Sequence, residues 1–308
     1  MKSPLRIGTR DSELALWQAQ TVQRQLERLG FDTVLCPVKS TGDIVLDKPL
    51  YELGITGIFT KTLDVALIKG EIDIAVHSMK DVPTQLPQGI VQTAVLKRAS
   101  TMDVLIHKGS DFLNGKNGTI ATGSLRRKAQ WLYQYPNHKV IGLRGNVNTR
   151  LIKLIENDWQ GAIFAKAGLQ RIKLLPKDAI MLDWMVPAPA QGAMVVVALE
   201  KNQEACEVSQ KLNDSDSDVT TRIEREFLRT LEGGCTAPVG ALAEIKDQKV
   251  RLKGCLHALD GSTKVEISKE RPLNKFEGFG KSCAYEILES GGMQLMKKIK
   301  DELNNPVH

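Results

Sequence analysis

The sequence has few aromatic residues and few cysteines, and it lacks the motifs of several common protein classes. Aromatic residues make up 5% of the chain, and its five cysteines form no C-x-x-C pair. This scatter indicates neither a disulfide framework nor a zinc site, so we expect no metal centre. No P-loop and no G-x-G-x-x-G motif follows a predicted strand, so nucleotide binding has no motif to support it.

Long hydrophobic runs are also missing. The longest apolar stretch, residues 185–199, contains Pro187, Pro189, Gln191 and Gly192 and cannot form a membrane-spanning helix. The first 13 residues lack the apolar core of a signal peptide. We therefore expect a cytoplasmic protein with no membrane partner. Nothing indicates an extended interface helix, and a monomer is expected.

The overall composition is that of a globular protein. Of the 308 residues, 42% are hydrophobic and 25% are charged, and the length suggests two or three domains. The net charge of +6 suggests an anionic partner, which could be nucleic acid, phosphate or carboxylate. Nucleic acid is the weaker choice, because its binding faces usually carry stacking aromatic residues.

Alternating strand and helix patterns predict an α/β fold with three domains. Strand-helix units fill the first two-thirds of the chain, and a strand near residue 194 could return to the first sheet after a hinge at 186–192. The last third instead predicts a small antiparallel sheet covered by two helices. The expected domains are residues 1–98 with 194–214 (α/β), residues 99–193 (α/β) and residues 215–308 (α+β).

Basic residues collect at or just after the carboxyl ends of the predicted strands. They are Arg10, Lys80, Arg126, Arg127, Arg144, Arg150 and Arg171. Ligands bind open α/β sheets at this edge, and helix N-termini with the hydroxyls of Ser12, Thr122 and Ser124 would also favour an anion there. Arginine predominates, which favours planar carboxylate or phosphate groups. Taken singly, each arginine is more simply interpreted as a solvated surface residue, but seven basic residues at equivalent junctions make coincidence a weaker explanation.

Asp81 is a carboxylate in this basic region. It follows an apolar strand and is constrained by Pro83, so its side chain should face the same cleft. The simpler interpretation is a salt bridge to Lys80 or an arginine. The functional one is an acid–base group, or an anion that stabilises a cationic intermediate. For the neighbouring His77 we favour a hydrogen-bonded structural role over a catalytic one.

Cys235 lies in an unusual context, "LEGGCTAPVG". Gly233 and Gly234 free the backbone, and Pro238 discourages a helix from resuming, so the cysteine should lie on a bend and not in a packed core. A thiolate presented in this way is a competent nucleophile.

Seven motifs in fixed order carry a family resemblance. They are "RIGTRDSELALWQA", "DIAVHSMKDVP", "TGSLRR", "LRGNVNTRL", "AGLQRI", "PAQGA" and "EGGC". Together they resemble the porphobilinogen deaminase (hydroxymethylbilane synthase) family, from about residue 5 to at least residue 240. The resemblance implies two periplasmic-binding-protein-like domains facing a cleft and a third α+β domain that bears the cysteine.

The resemblance also implies a reaction and roles for residues. Family members join four porphobilinogen molecules, with loss of ammonia, into hydroxymethylbilane on a dipyrromethane cofactor held by a cysteine thioether. Here that cysteine would be Cys235, and Asp81 would be the catalytic aspartate. The carboxylate-binding roles would fall to Arg10, Arg126, Arg127, Arg144, Arg150 and Arg171, with Lys80, Ser12, Thr122 and Ser124 beside them.

Two residues depart from the family pattern, and one rival function remains. Thr56 stands where many members have a lysine, and Ala190 replaces a common glycine. The rival is a two-lobed binding protein that captures a small carboxylate or oxyanion without changing it. It would explain the sheets and the arginines, but not the Gly-Gly-Cys bend or the third domain.

Overall fold

The computed structural model describes residues 3–38, 60–115, 117–231 and 237–304. Its first sheet has the strand order β2-β1-β3-β10-β4. The strands are β1 (Leu5–Arg10), β2 (Thr33–Val38), β3 (Ile74–Ser78), β4 (Ile90–Val95) and β10 (Met194–Leu199). Strands β1, β2 and β3 are parallel, and β10 runs antiparallel between β3 and β4. Helices α1 (Glu13–Arg28), α2 (Lys61–Ile68) and α6 (Gln203–Gln210) pack against this sheet.

The second sheet has the same mixed character, with strand order β7-β6-β8-β5-β9. Its strands are β5 (Asp103–His107), β6 (Thr119–Ala121), β7 (Lys139–Ile141), β8 (Gly161–Ala165) and β9 (Ile180–Met181). The accompanying helices are α3 (Leu125–Gln134), α4 (Val147–Glu156) and α5 (Lys166–Arg171). The side chains of Ser124 and Asn146 cap α3 and α4 by accepting backbone N–H groups, which fixes both helix N-termini at the carboxyl edge of the sheet.

The third sheet is a three-stranded antiparallel meander. Its strands are β11 (Val239–Lys246), β12 (Lys249–His257) and β13 (Lys264–Pro272), and the helices are α7 (Ser215–Thr230), α8 (Phe279–Ile287) and α9 (Met293–Asn304). Asp247 and Gln248 both have positive φ, as a two-residue type I′ hairpin turn requires. Strand residues and the apolar faces of α7, α8 and α9 form one core around Phe227 and Ile287.

These sheets confirm the predicted fold class. The strand β10 returns to the first sheet as expected, and its buried, β-branched residues suit a strand enclosed on both faces. The predicted boundaries near residues 98, 193 and 214 stay a prediction. No helix in the described part of the chain is long and apolar enough to cross a bilayer.

A buried carboxylate lies where the two chain connections between the first and second sheets meet the third sheet. Glu224 on α7 is fully buried and pairs with Arg98, with Oε1 2.7 Å from Nη1 and Oε2 2.9 Å from Nη2. The same carboxylate accepts the backbone N–H groups of Ala190 at 2.6 Å and Ala243 at 2.7 Å. One side chain therefore joins both connections between the first two sheets to the third sheet.

Candidate functional site

A small pocket opens at the carboxyl ends of β1 and β3. Its volume is about 60 Å³, and it is lined by Arg10, Ser12, Leu14, Ala15, Gln18, Val76, His77, Ser78 and Asp81. Ser12 is the N-cap residue of α1, but its side chain makes no capping hydrogen bond. Its hydroxyl is therefore not used by the helix end and can serve a ligand.

The turn after β3 carries Lys80 and Asp81. Residues Met79–Asp81 form a single 3-10 turn, fixed by a hydrogen bond from the Met79 N–H to the Ala193 carbonyl. Burial lowers the pKa of Lys80 to about 8, and the nearby Arg127 adds to the effect, whereas Asp81 and Asp103 oppose it. The Lys80 ammonium lies 3.4 Å from Oε1 of Gln191.

Arg126 and Arg127 are anchored on Asp103, a residue that sequence analysis missed. The Asp103 carboxylate is fully buried and lies 2.8 Å from Nη2 of Arg126 and 2.7 Å from Nη2 of Arg127. Burial alone would raise the pKa of Asp103, but the two guanidinium groups outweigh it and lower that pKa to about 2. Gln191 donates to the same carboxylate at 3.0 Å. The buried Gln191 therefore links Lys80 to the two arginines.

Neither arginine is the solvated surface residue that the simpler interpretation allowed. Both are about 95% buried on α3. Arg126 donates to the carbonyl of Val186, and Arg127 donates to that of Ile163. The Nε of Arg126 is buried without a hydrogen-bond partner in the described residues, so this guanidinium keeps unused donor capacity.

Arg144 and Arg150 extend the cationic region, with Arg171 farther along the same edge. Burial lowers the pKa of Arg150 to about 10, and Arg127, Arg144 and Arg10 lower it further through repulsion, while Asp81 raises it. Burial also lowers the pKa of Arg171 to about 10; its guanidinium donates to the carbonyl of Gly192 and lies over the ring of Trp17.

The predicted hydroxyl groups border this region. Ser124 caps α3 by accepting the Arg127 N–H at 3.4 Å, so it positions the helix that carries both buried arginines. Thr122 is 5% exposed, and its Oγ1 accepts the N–H of Ser124 at 3.3 Å. Both hydroxyls thus shape the loop at the N-terminus of α3.

The structure brings most of the predicted site residues into one electrostatic group, here named the crevice group. Its members are Arg10, Lys80, Asp81, Asp103, Arg126, Arg127, Arg144 and Arg150, whose charges act on one another. Six are cations and two are carboxylates, so these eight described residues together carry four positive charges in excess. Such an excess suits a ligand with several carboxylates.

Two predicted positions, Cys235 and Thr56, lie outside the described residues. Ala190, the other departure from the family pattern, has φ of +61° and is fully buried. That backbone conformation favours glycine, which gives a physical reason for the glycine that is common at this position. Within the described residues no cluster of metal ligands occurs.

The fold and site define a protein with two mixed α/β sheets, a third α+β unit and a crevice lined by buried cationic side chains. Comparison with known protein families gives two matches, which together cover most of the chain. A family described as "Porphobilinogen deaminase, dipyromethane cofactor binding domain" matches residues 5–207, and the corresponding C-terminal domain matches residues 219–289. The chain therefore belongs to the porphobilinogen deaminase family. It is a transferase of tetrapyrrole biosynthesis that polymerises porphobilinogen and uses a dipyrromethane cofactor.

Curated relatives match over nearly their whole length. The porphobilinogen deaminase of Campylobacter hominis is 38% identical over 304 residues, covering 96% of this chain and 98% of that protein. The enzyme of Syntrophotalea carbinolica is 40% identical over 300 residues, covering 96% and 95%. Among solved structures, the periplasmic VFT2 domain of Bordetella pertussis BvgS is 12% identical, with a TM-score of 0.42 and coverage of 68% and 86%.

Proposed function

We propose that the crevice group holds the acetate and propionate groups of the pyrrole chain, and that Cys235 carries the dipyrromethane cofactor through a thioether. The single observation that supports the carboxylate assignment is the excess of cations in that group. In a partly buried crevice, cations without enough counter-charge are costly, and bound carboxylates would supply that charge.

The residues fit the cofactor. The buried Nε of Arg126 lacks a partner among the described residues, and burial, together with repulsion from neighbouring arginines, lowers the pKa of Arg150. Both features favour bound anions. When bound, the dipyrromethane supplies the pyrrole position to which the first substrate is joined. Arg10, Arg126, Arg127, Arg144, Arg150 and Arg171, with Lys80, Ser12, Thr122 and Ser124, would hold and orient the carboxylates.

Asp81 is the proposed acid–base group for loss of ammonia from porphobilinogen. It lines the same pocket as Arg10 and Ser12, so a substrate whose carboxylate meets Arg10 places its amine within the same small space. The carboxyl group can supply a proton to the leaving amine and, once ionised, stabilise the positive charge that develops on the substrate.

His77 is a poor rival for that role. Burial, with a contribution from Arg10, lowers the pKa of His77 to about 4. Its imidazole is therefore neutral at physiological pH and a much weaker proton donor to the amine than a cationic imidazolium would be. Asp81 is the carboxyl group among the described residues that line the pocket.

Three of the four other cysteines are poorly suited to attachment of the cofactor. Burial raises the pKa of Cys255 and of Cys283 to about 11, and it also raises that of Cys206. Because the thiolate is the nucleophile, such thiols react slowly. Cys235 lies in a glycine-rich sequence that follows α7, and such a sequence suits a reactive and accessible thiol.

Intact mass of the purified enzyme tests the proposal. We expect an adduct equal to two deaminated porphobilinogen units, and we expect Cys235→Ser to lack it. Cys283→Ser serves as the matched control and should keep the adduct. An unmodified mass in active wild-type enzyme, or an adduct retained by Cys235→Ser, would refute the attachment site.

We further propose that the enzyme acts as a monomer in the cytoplasm. The substrate is a small molecule, and no step assigned above needs a residue from a second chain. Sedimentation at micromolar concentration should give a single species of about 34 kDa, and a stable dimer would overturn the monomer assignment.

A further inference from the structure

Helix α7 of the third domain reaches across to the turn that carries Lys80 and Asp81. Arg225, on this helix, donates to three carbonyl groups of the segment 79–83: Val82 at 2.9 Å, Pro83 at 2.5 Å and Met79 at 3.4 Å. None of these bonds touches a side chain of the site. The guanidinium therefore acts on the backbone that presents Lys80 and Asp81.

Among the residues that the structure describes, few other backbone hydrogen bonds hold the turn 79–83. Its internal bond runs from the Val82 N–H to the Met79 carbonyl, and the Met79 N–H reaches the Ala193 carbonyl. Pro83 has no N–H to donate. The carbonyls of Val82 and Pro83 lie beyond the end of the turn, where an external donor must satisfy them. A planar guanidinium can serve several carbonyls at once in fixed directions, whereas a lysine ammonium offers its donors from one atom.

The same helix is fixed at the chain crossings and leads into the segment that contains Cys235. Glu224, the residue before Arg225, binds Arg98 and the backbone of Ala190 and Ala243. The segment 232–236 directly follows the last turn of α7. Helix α7 thus connects the turn that carries Asp81 to the segment that contains Cys235.

We propose that Arg225 is a positioning residue for the reaction: it fixes the turn 79–83 against α7, so that the Asp81 carboxyl keeps its place relative to the ring being joined. The inference rests on the proposed role of Asp81. Displacement of a reacting group by about 1 Å can cost on the order of 10²-fold in rate. Loss of Arg225 should therefore lower kcat, while the carboxylate-binding side chains and KM are largely spared.

The test compares Arg225→Lys and Arg225→Gln with Arg229→Lys and Arg229→Gln, matched variants at an exposed position of the same helix. We expect kcat for porphobilinogen consumption to fall about 10- to 100-fold in both Arg225 variants. KM should stay within about threefold, and the dipyrromethane adduct should remain visible by intact mass. The Arg229 variants should match wild type.

A double-mutant cycle separates positioning from general destabilisation. If Arg225 acts through Asp81, then Arg225→Lys should cost little further rate in an Asp81→Asn background, so the two losses should not multiply. Any of three results would overturn the inference. They are a wild-type kcat in both Arg225 variants, rate losses of Arg225→Lys and Asp81→Asn that multiply in the double variant, and a rate loss that parallels the loss of folded protein. A near-normal rate for Asp81→Asn alone would instead overturn the role of Asp81 and with it this inference.

Discussion

Replacing Asp103 by asparagine should destabilise the protein strongly, because it removes the negative charge between two buried guanidinium groups. Asp103 is fully buried and lies within 2.8 Å of both Arg126 and Arg127. Breaking a buried ion pair by removing one partner costs about 3–5 kcal/mol. Here two cations lose their partner, so we expect a loss at the upper end of that range.

The pKa of Asp103 gives a second measure of the same interaction. Lowering this pKa from 3.8 to about 2 corresponds to about 2 kcal/mol of folding free energy. Because the folded-state pKa is below the unfolded value, this stability is present above about pH 4 and is lost as pH falls towards 2. The wild type should lose it in that window, and Asp103→Asn should not show this loss.

Chemical denaturation of the wild type and of Asp103→Asn between about pH 7 and pH 2 measures both effects. Asp111→Asn, at an exposed position on the same lobe, is the control. We also expect the holoenzyme of the variant to lose less stability than the apoenzyme, since bound carboxylates would replace part of the missing charge. A loss below about 1 kcal/mol at pH 7 would show that Asp103 does not hold the arginines, and the account of the site would fail.

Four further outcomes test other parts of the site. Asp81→Ala should slow porphobilinogen consumption by about 10²–10⁴-fold in a steady-state assay, and a near-normal rate would exclude it as the acid. Because Lys80 has a lowered pKa of about 8, the amine loses its charge at lower pH than a free lysine. We expect kcat/KM to fall above about pH 8, with a higher midpoint if bound carboxylates stabilise the ammonium. Lys80→Arg should abolish this fall, and an unchanged fall in that variant would show that another group causes it. Arg150→Ala should leave a carboxylate unpaired, weaken binding by about 2–5 kcal/mol and stall elongation at one chain length, which native gels would resolve. Stalling at no particular length would indicate only a general electrostatic attraction. Ala190→Gly should change the unfolding free energy by less than about 1 kcal/mol. Relief of backbone strain, about 1–2 kcal/mol, is offset by the lost methyl contact and by the greater conformational entropy of the unfolded chain. A thermal shift that corresponds to a larger change would contradict this balance.

The fold could be predicted from the sequence because its signals are local. The apolar pattern at 72–76 predicted a strand that the structure has at Ile74–Ser78, and the predicted strand near residue 194 is Met194–Leu199; both lie inside the first sheet. The turn at Asp247 and Gln248 marks the hairpin of the third sheet through its own backbone preferences. Even the return of β10 to the first sheet followed from a strand pattern placed after a proline-rich hinge.

The site was only partly predictable, because its supporting contacts are distant in sequence. In the sequence, Asp103 is an ordinary residue at the start of a predicted strand. It matters to the site because it pairs with Arg126 and Arg127, which lie more than 20 residues further along the chain. From the sequence, Glu224 and Arg225 have no expected role beyond membership of a predicted helix, yet they bind Arg98 and the turn at 79–83. No local pattern distinguishes a buried ion pair across two domains from a surface charge.

The charge of the crevice group bears on how one site handles a lengthening chain. The group has four positive charges in excess among the described residues, and a dipyrromethane with an acetate and a propionate on each ring brings four negative charges. On the proposed roles, the cofactor alone would neutralise this group. Each later ring adds two carboxylates to a crevice that no longer has excess cations, so its binding must rely on other groups, such as Arg171, or on movement of earlier rings away from the crevice. Affinity for the chain should therefore weaken as it grows, which is the direction that release of a finished product requires.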